Sequence, residues 1–199
     1  RQIRIDTSTL ITLIRFGFPL EINEFLGFIY QRFDTILTGI LLTPTEIAYL
    51  AVARKIPDSL SGLFEAFRSV YFPYISQLGM KKEWDTVAHA INQVIRALSF
   101  VAFLLCLAIV FWGSSMITFL FTGEYLASTT LFQVLMVALS LGFINNVFGT
   151  SLVAIGQSNK PPIINALHSA TSLVSNLILI PRIGIIGAGI SSLLGNLIS

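Results

Sequence analysis

"FGFPLEINEFLGFIYQRFDTILTGILLTPTEIAYLAVARKIPDSL", residues 16–60, holds two apolar runs of membrane-spanning length joined by the turn LLTPTE. Both runs carry charge where hydrocarbon would surround it: Arg32 and Asp34 in the first, Arg54, Lys55 and Asp58 in the second. A charged side chain at the centre of a spanning helix costs at least ~2.5–3.5 kcal/mol. Such residues are kept from lipid, on faces turned to other helices or to a hydrated cavity.

Outward from this stretch the chain keeps the same character. It is 54% hydrophobic and 11% charged over 199 residues, with a mean hydropathy of +0.81. Soluble domains carry roughly 25% charged residues, and so little polar surface would not cover a soluble core of this size. The chain is read as a polytopic membrane protein. Apolar segments at 16–42, 47–74, 95–112, 131–155, 161–180 and 185–199 give an expected all-α fold, a six-helix transmembrane bundle occupying 1–199 as one unit. Gly, Pro or charge marks each break: LLTPTE, LGMKKEWDT, FTGEY, IGQSNKPP and IPRIG. The amphipathic WDTVAHAINQVIRAL (84–98) is expected to lie at the membrane interface before the third span. The chain starts at Arg1 with no signal-peptide pattern and stops at LLGNLIS inside an apolar run, so a piece of a longer protein is expected. A lone Cys106 rules out an intrachain disulfide.

Basic residues set the orientation. Alternate loops on one side hold seven, Arg1, Arg4, Arg15, Lys81, Lys82, Arg96 and Lys160, against Arg182 alone on the other. By the positive-inside rule the start, the KKEW loop and the QSNK loop are cytoplasmic, and TPTE, TGEY and PRIG face outward.

The remaining bases, Arg32, Arg54, Lys55 and Arg68, fall within the first two spans beside Glu21, Glu24, Asp34, Asp58 and Glu65. At roughly 100° per residue, Glu21, Glu24, Gln31, Arg32, Asp34, Thr35 and Thr38 share about 160° of arc, opposite Ile22, Leu26, Ile29, Phe33, Ile36 and Ile40. In the second span Arg54, Asp58, Ser61, Glu65 and Arg68 recur at helical spacing, with Lys55, Gly62 and Ser69 beside them and Pro57 expected to kink the helix. Two such stripes imply a hydrated cavity or a buried ion-pair network. Intramembrane ionisable groups favour the cavity. Asn145, Asn146, Asn165 and His168 fit either its lining or hydrogen bonds between helices. Neither His89 nor His168 has metal-ligand spacing, and no metal site or cofactor is expected. GIIGAG (184–189) lacks a preceding strand, so it is no dinucleotide fingerprint. Its rows Gly187, Ser191, Gly195 and Gly184, Ala188, Ser192 read as close helix packing.

Several motifs resemble one family. In FGFPLEINEFLGFIYQRFDTILTGILLTPTEIAYLAVARKIPDSL a proline-bearing helix with a central Asp leads through a short loop to Tyr49, Ala53, Lys55 and Ile56. With VYFPYISQLG (70–79), FTGEYLAS (121–128) and LIPRIGIIGAGISS (179–192), this resembles the second lobe of polysaccharide flippases of the multidrug/oligosaccharidyl-lipid/polysaccharide (MOP) exporter superfamily. The resemblance implies one lobe of a MATE-like two-lobe transporter in the cell (inner, cytoplasmic) membrane, with a first lobe as partner. Its cargo would be a lipid-diphosphate-linked glycan, flipped from the cytoplasmic to the outer leaflet by alternating access. No nucleophile elbow, paired-acid site or basic nucleic-acid patch appears, so no enzyme activity and no nucleic-acid partner are expected, and transport would be coupled to Na+ or H+. Arg32, Arg54, Lys55 and Arg68 would meet head-group oxygens. Glu21, Glu24, Asp34, Asp58 and Glu65 would position those bases, contact sugar hydroxyls or bind the coupling cation. The alternative is a cation-coupled multidrug exporter of the same fold, with the acids as working groups.

The loop asymmetry makes a direct prediction. With Cys106 replaced, cysteines at positions 82 and 157 stay shielded from an impermeant thiol reagent in intact cells, and one at position 45 reacts. Equal labelling at all three sites would refute the orientation.

Overall fold

The structure, a computed structural model, describes residues 11, 14, 15, 17–19, 21, 22, 25 and 36–198. Glu24, Gln31, Arg32 and Asp34, and with them most of the expected span 16–42, lie outside the described residues. Among the described residues there are helices and turns and no strand. After a helical stretch at 36–41 come α1 (Pro44–Met80), α2 (Trp84–Phe121), a 3₁₀ turn (Gly123–Ser128), α3 (Thr129–Ala154), α4 (Lys160–Ile183) and α5 (Ile185–Ile198).

Three of these segments are both long and apolar enough to cross a membrane: α2, the 3₁₀ turn with α3, and α4. At 37 residues α1 is long enough, but the charges from Arg54 to Arg68 interrupt its apolar character. Helix α5 is apolar and 14 residues long.

Helix α1 begins with a capping box that the turn reading of LLTPTE leaves aside. The Glu46 N–H donates to Thr43 Oγ1 at 3.3 Å, and the Thr43 N–H and hydroxyl both donate to Glu46 Oε2 at 2.8 Å. Two orphan helix donors are thereby satisfied, and Pro44 takes a position where its missing N–H costs nothing. The helix then runs through Pro57 and Pro73 without a break.

Residues 84–98 run into the third span without a break. They are the first part of the 38-residue α2, which also carries the expected span 95–112 on to Phe121. Their apolar stripe (Val87, Ala90, Ile91, Val94, Ile95, Leu98) packs on Tyr71, Ile75 and Leu78 of α1 and Val147 and Ala154 of α3. No Gly or Pro interrupts 84–112.

Helix α3 stands at the centre, packed against α1, α2 and α5. Leu131, Phe132, Leu135 and Met136 near its start meet Leu50, Ala53, Ile109, Ile117 and Ile180 in one apolar cluster. Val147 and Ala154 near its end belong to the other, with Phe64, Tyr71 and Ile75. There Ser151 donates its single hydroxyl proton to Val147 O at 2.6 Å, so the buried Tyr71 hydroxyl, 2.8 Å away, donates to Ser151 Oγ. The outer face of α2 is left to lipid, with Phe100, Phe103, Val110, Phe111, Trp112 and Phe119 exposed.

The loops sort as the charge count expects. Glu46 at the start of α1 lies beside Gly184 at the α4–α5 turn, and Tyr49 meets Tyr125 of the FTGEY turn edge-on at 6.2 Å. At the opposite end Gly79, before KKEW, packs on Ile155, before QSNK. TPTE, TGEY and PRIG therefore share one end of the bundle, and KKEW and QSNK share the other.

Helices α4 and α5 join through Gly184 alone, at φ 60° and ψ −142°, a conformation open in practice only to glycine. Their close approach follows the small-residue row that the sequence marks. A Cβ on Gly187 would lie 2.6–2.8 Å from the backbone of Leu179 and Ile180, and one on Gly195 would fall on Ser172 Oγ. Ser172 donates to Ser191 O at 3.3 Å between them.

Gly187→Ala therefore forces two backbones apart and costs about 1–3 kcal/mol, as overpacking does. Gly62→Ala, whose Cβ meets nothing within 4 Å, gains about 0.5–1 kcal/mol of helix propensity. Thermal unfolding of the two variants in detergent checks the opposite signs. At the capping box, the Thr43 N–H and then its hydroxyl hold the Glu46 carboxyl below its ordinary value of 4.5. Glu46 precedes the span, and its contribution is fully present above that ordinary value and is lost as pH falls through the lowered one. Hydrogen exchange at the start of α1 accordingly gains a structural acid dependence in the native protein and loses it in Glu46→Gln, after correction for intrinsic exchange.

Candidate functional site

Helix α1 has two working faces. Ala53, Pro57, Phe64, Tyr71 and Ile75 recur at spacings of four and seven, are buried, and form its contact with α2 and α3. About a quarter turn away runs the polar stripe, in which Arg54 is partly buried and Lys55, Asp58, Ser61, Glu65, Arg68 and Ser69 are exposed. In the preceding helical stretch Thr38 is buried while Ile36 and Ile40 are exposed, and Glu21 is exposed.

The lower half of the stripe opens into a cleft of about 730 Å³. Glu65, Arg68 and Ser69 form its α1 wall, with Phe72 and Pro73 below them. Asn145, Asn146 and Thr150 come from α3, Asn165 and His168 from α4, and Asn196 from α5. Pro73 lies seven residues from the end of α1 and Pro161 is the second residue of α4. The cleft thus sits towards the end of the bundle that carries Lys81, Lys82 and Lys160.

Its charged members among the described residues, Glu65 and Arg68, form an ion pair. Arg68 Nη1 stands 3.6 Å from Glu65 Oε1, with the side chains 45% and 67% exposed. An exposed pair of this kind contributes only about 0–1 kcal/mol, so the fold gains little from it. The amides are more tightly held. Asn145 Nδ2 donates to Asn196 O at 2.7 Å, linking α3 to α5, and Asn196 Nδ2 donates to Ser192 O at 3.0 Å. Asn146 Nδ2 donates to Gly142 O at 2.9 Å within its own helix. Asn145 therefore fills both roles that the sequence left open, lining the cleft and bonding between helices.

The residues singled out in the sequence divide accordingly. Glu65 and Arg68 meet Asn145, Asn146, Asn165 and His168 in the cleft. Arg54, Lys55 and Asp58 lie on the same helix but up to 14 residues, about 21 Å, from Arg68, and do not line it. Asn196, Thr150, Phe72 and Phe148 are cleft residues that the sequence reading leaves out. For Asn196 a signal existed: it is a lone amide in the apolar run GISSLLGNLIS.

The chain is similar to several known proteins. The family described as polysaccharide biosynthesis protein matches residues 1–130. A probable low-salt glycan biosynthesis flippase of Haloferax volcanii, Agl15, is 23% identical over 168 residues, 84% of this chain and 36% of that protein. An uncharacterized membrane protein of Methanocaldococcus jannaschii is 26% identical over 188 residues, 92% of this chain and 37% of that one. The chain spans just over a third of the length of these curated relatives. Among solved structures, a MOP superfamily transporter from Pyrococcus furiosus, described as having a binding pocket of reverse polarity that suggests a different function, superposes with a TM-score of 0.81. The superposition covers 94% of this chain and 42% of that one at 17% identity, a likeness of fold. With the family match covering residues 1–130 of 199, this multi-pass helical membrane chain belongs to the polysaccharide biosynthesis protein family.

Proposed function

We propose that the chain is the second, six-span lobe of a two-lobe flippase in the cytoplasmic membrane, carrying a lipid-linked oligosaccharide to the outer leaflet. One observation carries this reading: a polar cleft of about 730 Å³ lies towards the basic end of a bundle whose outside is apolar. A cargo with a polar head and a lipid tail needs such a compartment for the head, while the tail stays in the bilayer. Arg68, on the cleft wall and lightly held by Glu65, is suited to bidentate contact with an anionic head group. The stripe continues beyond the cleft through Asp58, Lys55 and Arg54 towards the TPTE end, a charged track along which the head group passes as the lobes rock. Alternating access of this kind is rigid-body movement of one repeat against another. Coupling by Na+ or H+ supplies its direction.

The test uses the complete two-lobe protein, scored for membrane abundance and for glycan export. Arg68→Ala keeps normal abundance and loses export by at least about tenfold, one charge-assisted hydrogen bond or more. For the track, Arg54→Ala, Asp58→Ala and the double variant are compared. Normal abundance with lost export in Arg54→Ala, unrescued in the double variant, supports the track. Low abundance in both single variants with recovery in the double means a structural pair, whose breakage costs about 3–5 kcal/mol when buried. Export by the isolated chain would overturn the two-lobe reading.

A further inference from the structure

The amide wall of the cleft has a chemistry that the head-group contact does not use, and its reading rests on the flippase proposal. Arg68 and Glu65 are of opposite sign and stand together on the α1 wall, so their charges cancel. Among the described residues a diphosphate in the body of the cleft would meet as much negative as positive charge, and a bare cation would find the one lining carboxylate already paired. A neutral polyol fits better. Sugar hydroxyls both donate and accept, and a carboxamide has two N–H donors and an acceptor oxygen to match them, of which Asn145 and Asn146 each spend one N–H on a backbone carbonyl. The C–H faces of a sugar ring are apolar and pack on aromatic rings, which Phe72 and Phe148 supply beside the amides.

Two of these amides are held before a ligand arrives, Asn145 by the carbonyl of Asn196 and Asn146 by that of Gly142. Groups fixed in advance lower the ordering cost of binding. The volume, about 730 Å³, is within the roughly 300–1,000 Å³ of small-molecule sites, room for a short stretch of glycan. We propose that Asn145, Asn146 and Asn165, with Phe72 and Phe148, form a subsite for a neutral, hydroxyl-rich sugar portion of the cargo, distinct from the contact that Arg68 makes with its anionic group.

The complete protein in nanodiscs is titrated by saturation-transfer NMR with glycan cleaved from the host's lipid-linked pool, free of lipid and phosphate and separated into neutral and acidic fractions. Inorganic pyrophosphate is the competitor. The neutral fraction is expected to bind, and to weaken by at least about tenfold in the Asn146→Ala/Asn165→Ala double variant, the equivalent of one or two neutral hydrogen bonds. Phe148→Ala, at an exposed position, weakens it as well and stands as the test if the double variant fails to fold. Equal binding by the asparagine and phenylalanine variants, displacement by pyrophosphate, or preference for the acidic fraction overturns the subsite. Normal export by Arg68→Ala with glycan still bound removes the head-group reading and leaves the subsite. Lost export in that variant with no glycan bound to the native protein does the reverse.

Discussion

A guanidinium in hydrocarbon is costly, and α1 carries two of them, with a lysine and two carboxylates, between Arg54 and Arg68. The arrangement around this helix follows from keeping those groups wet. One face of α1 is given to small and aromatic residues so that α2 and α3 can pack there, and the charged stripe is carried round to the open side. Neighbouring helices answer with amides and hydroxyls in the cleft and with bulky apolar side chains elsewhere. Polarity is thus concentrated along one line of the bundle.

Helix α3 makes that line possible by supporting everything else. Its first turns hold one apolar cluster and its last turns the other, while its middle, with Asn145 and Asn146, is left for the cleft. Against it α5 leans closely enough for the Asn145 side chain to reach the Asn196 carbonyl. The α4–α5 contact seats Gly187 on the backbone of Leu179 and Ile180 and Gly195 on the side chains of Ser172 and His168, so the two helices pack closely. The cleft therefore has a closely packed far wall facing the charged helix.

Much of this was legible in the residues. Helical spacing alone placed Arg54, Asp58, Glu65 and Arg68 on one face, and small residues four apart marked the α4–α5 contact. The loop charges paired the correct ends of the bundle. Which members of the stripe share a cleft was not legible, because it depends on where α3 and α4 pass α1, a long-range matter that periodicity does not encode. The helices that the 84–98 stripe packs on were not legible for a related reason: an amphipathic face fits head groups and a neighbouring helix equally well. Thr43 and Glu46, three apart, carried the capping signal openly, although a turn signal at the same place conceals it. Asn196 has no periodic companion, so only its bond partner reveals its place.

The uninterrupted α2 has a consequence for water level. Its 38 residues measure about 57 Å at 1.5 Å each, while a hydrocarbon core is only about 30 Å deep. Even at a tilt of about 40° the helix rises about 44 Å, so roughly a third of it must stand clear of the lipid tails. The apolar exterior from Phe100 to Phe119 claims the core, which leaves the Trp84 end as a post in the head-group layer and the water beyond. The last turns of α1, bound to that post through Ile75 and Leu78, are raised with it. Pro73 and Phe72 on the rim of the cleft belong to the same turns. The mouth is thereby level with the aqueous layer, so the amides that line it stay in reach of water.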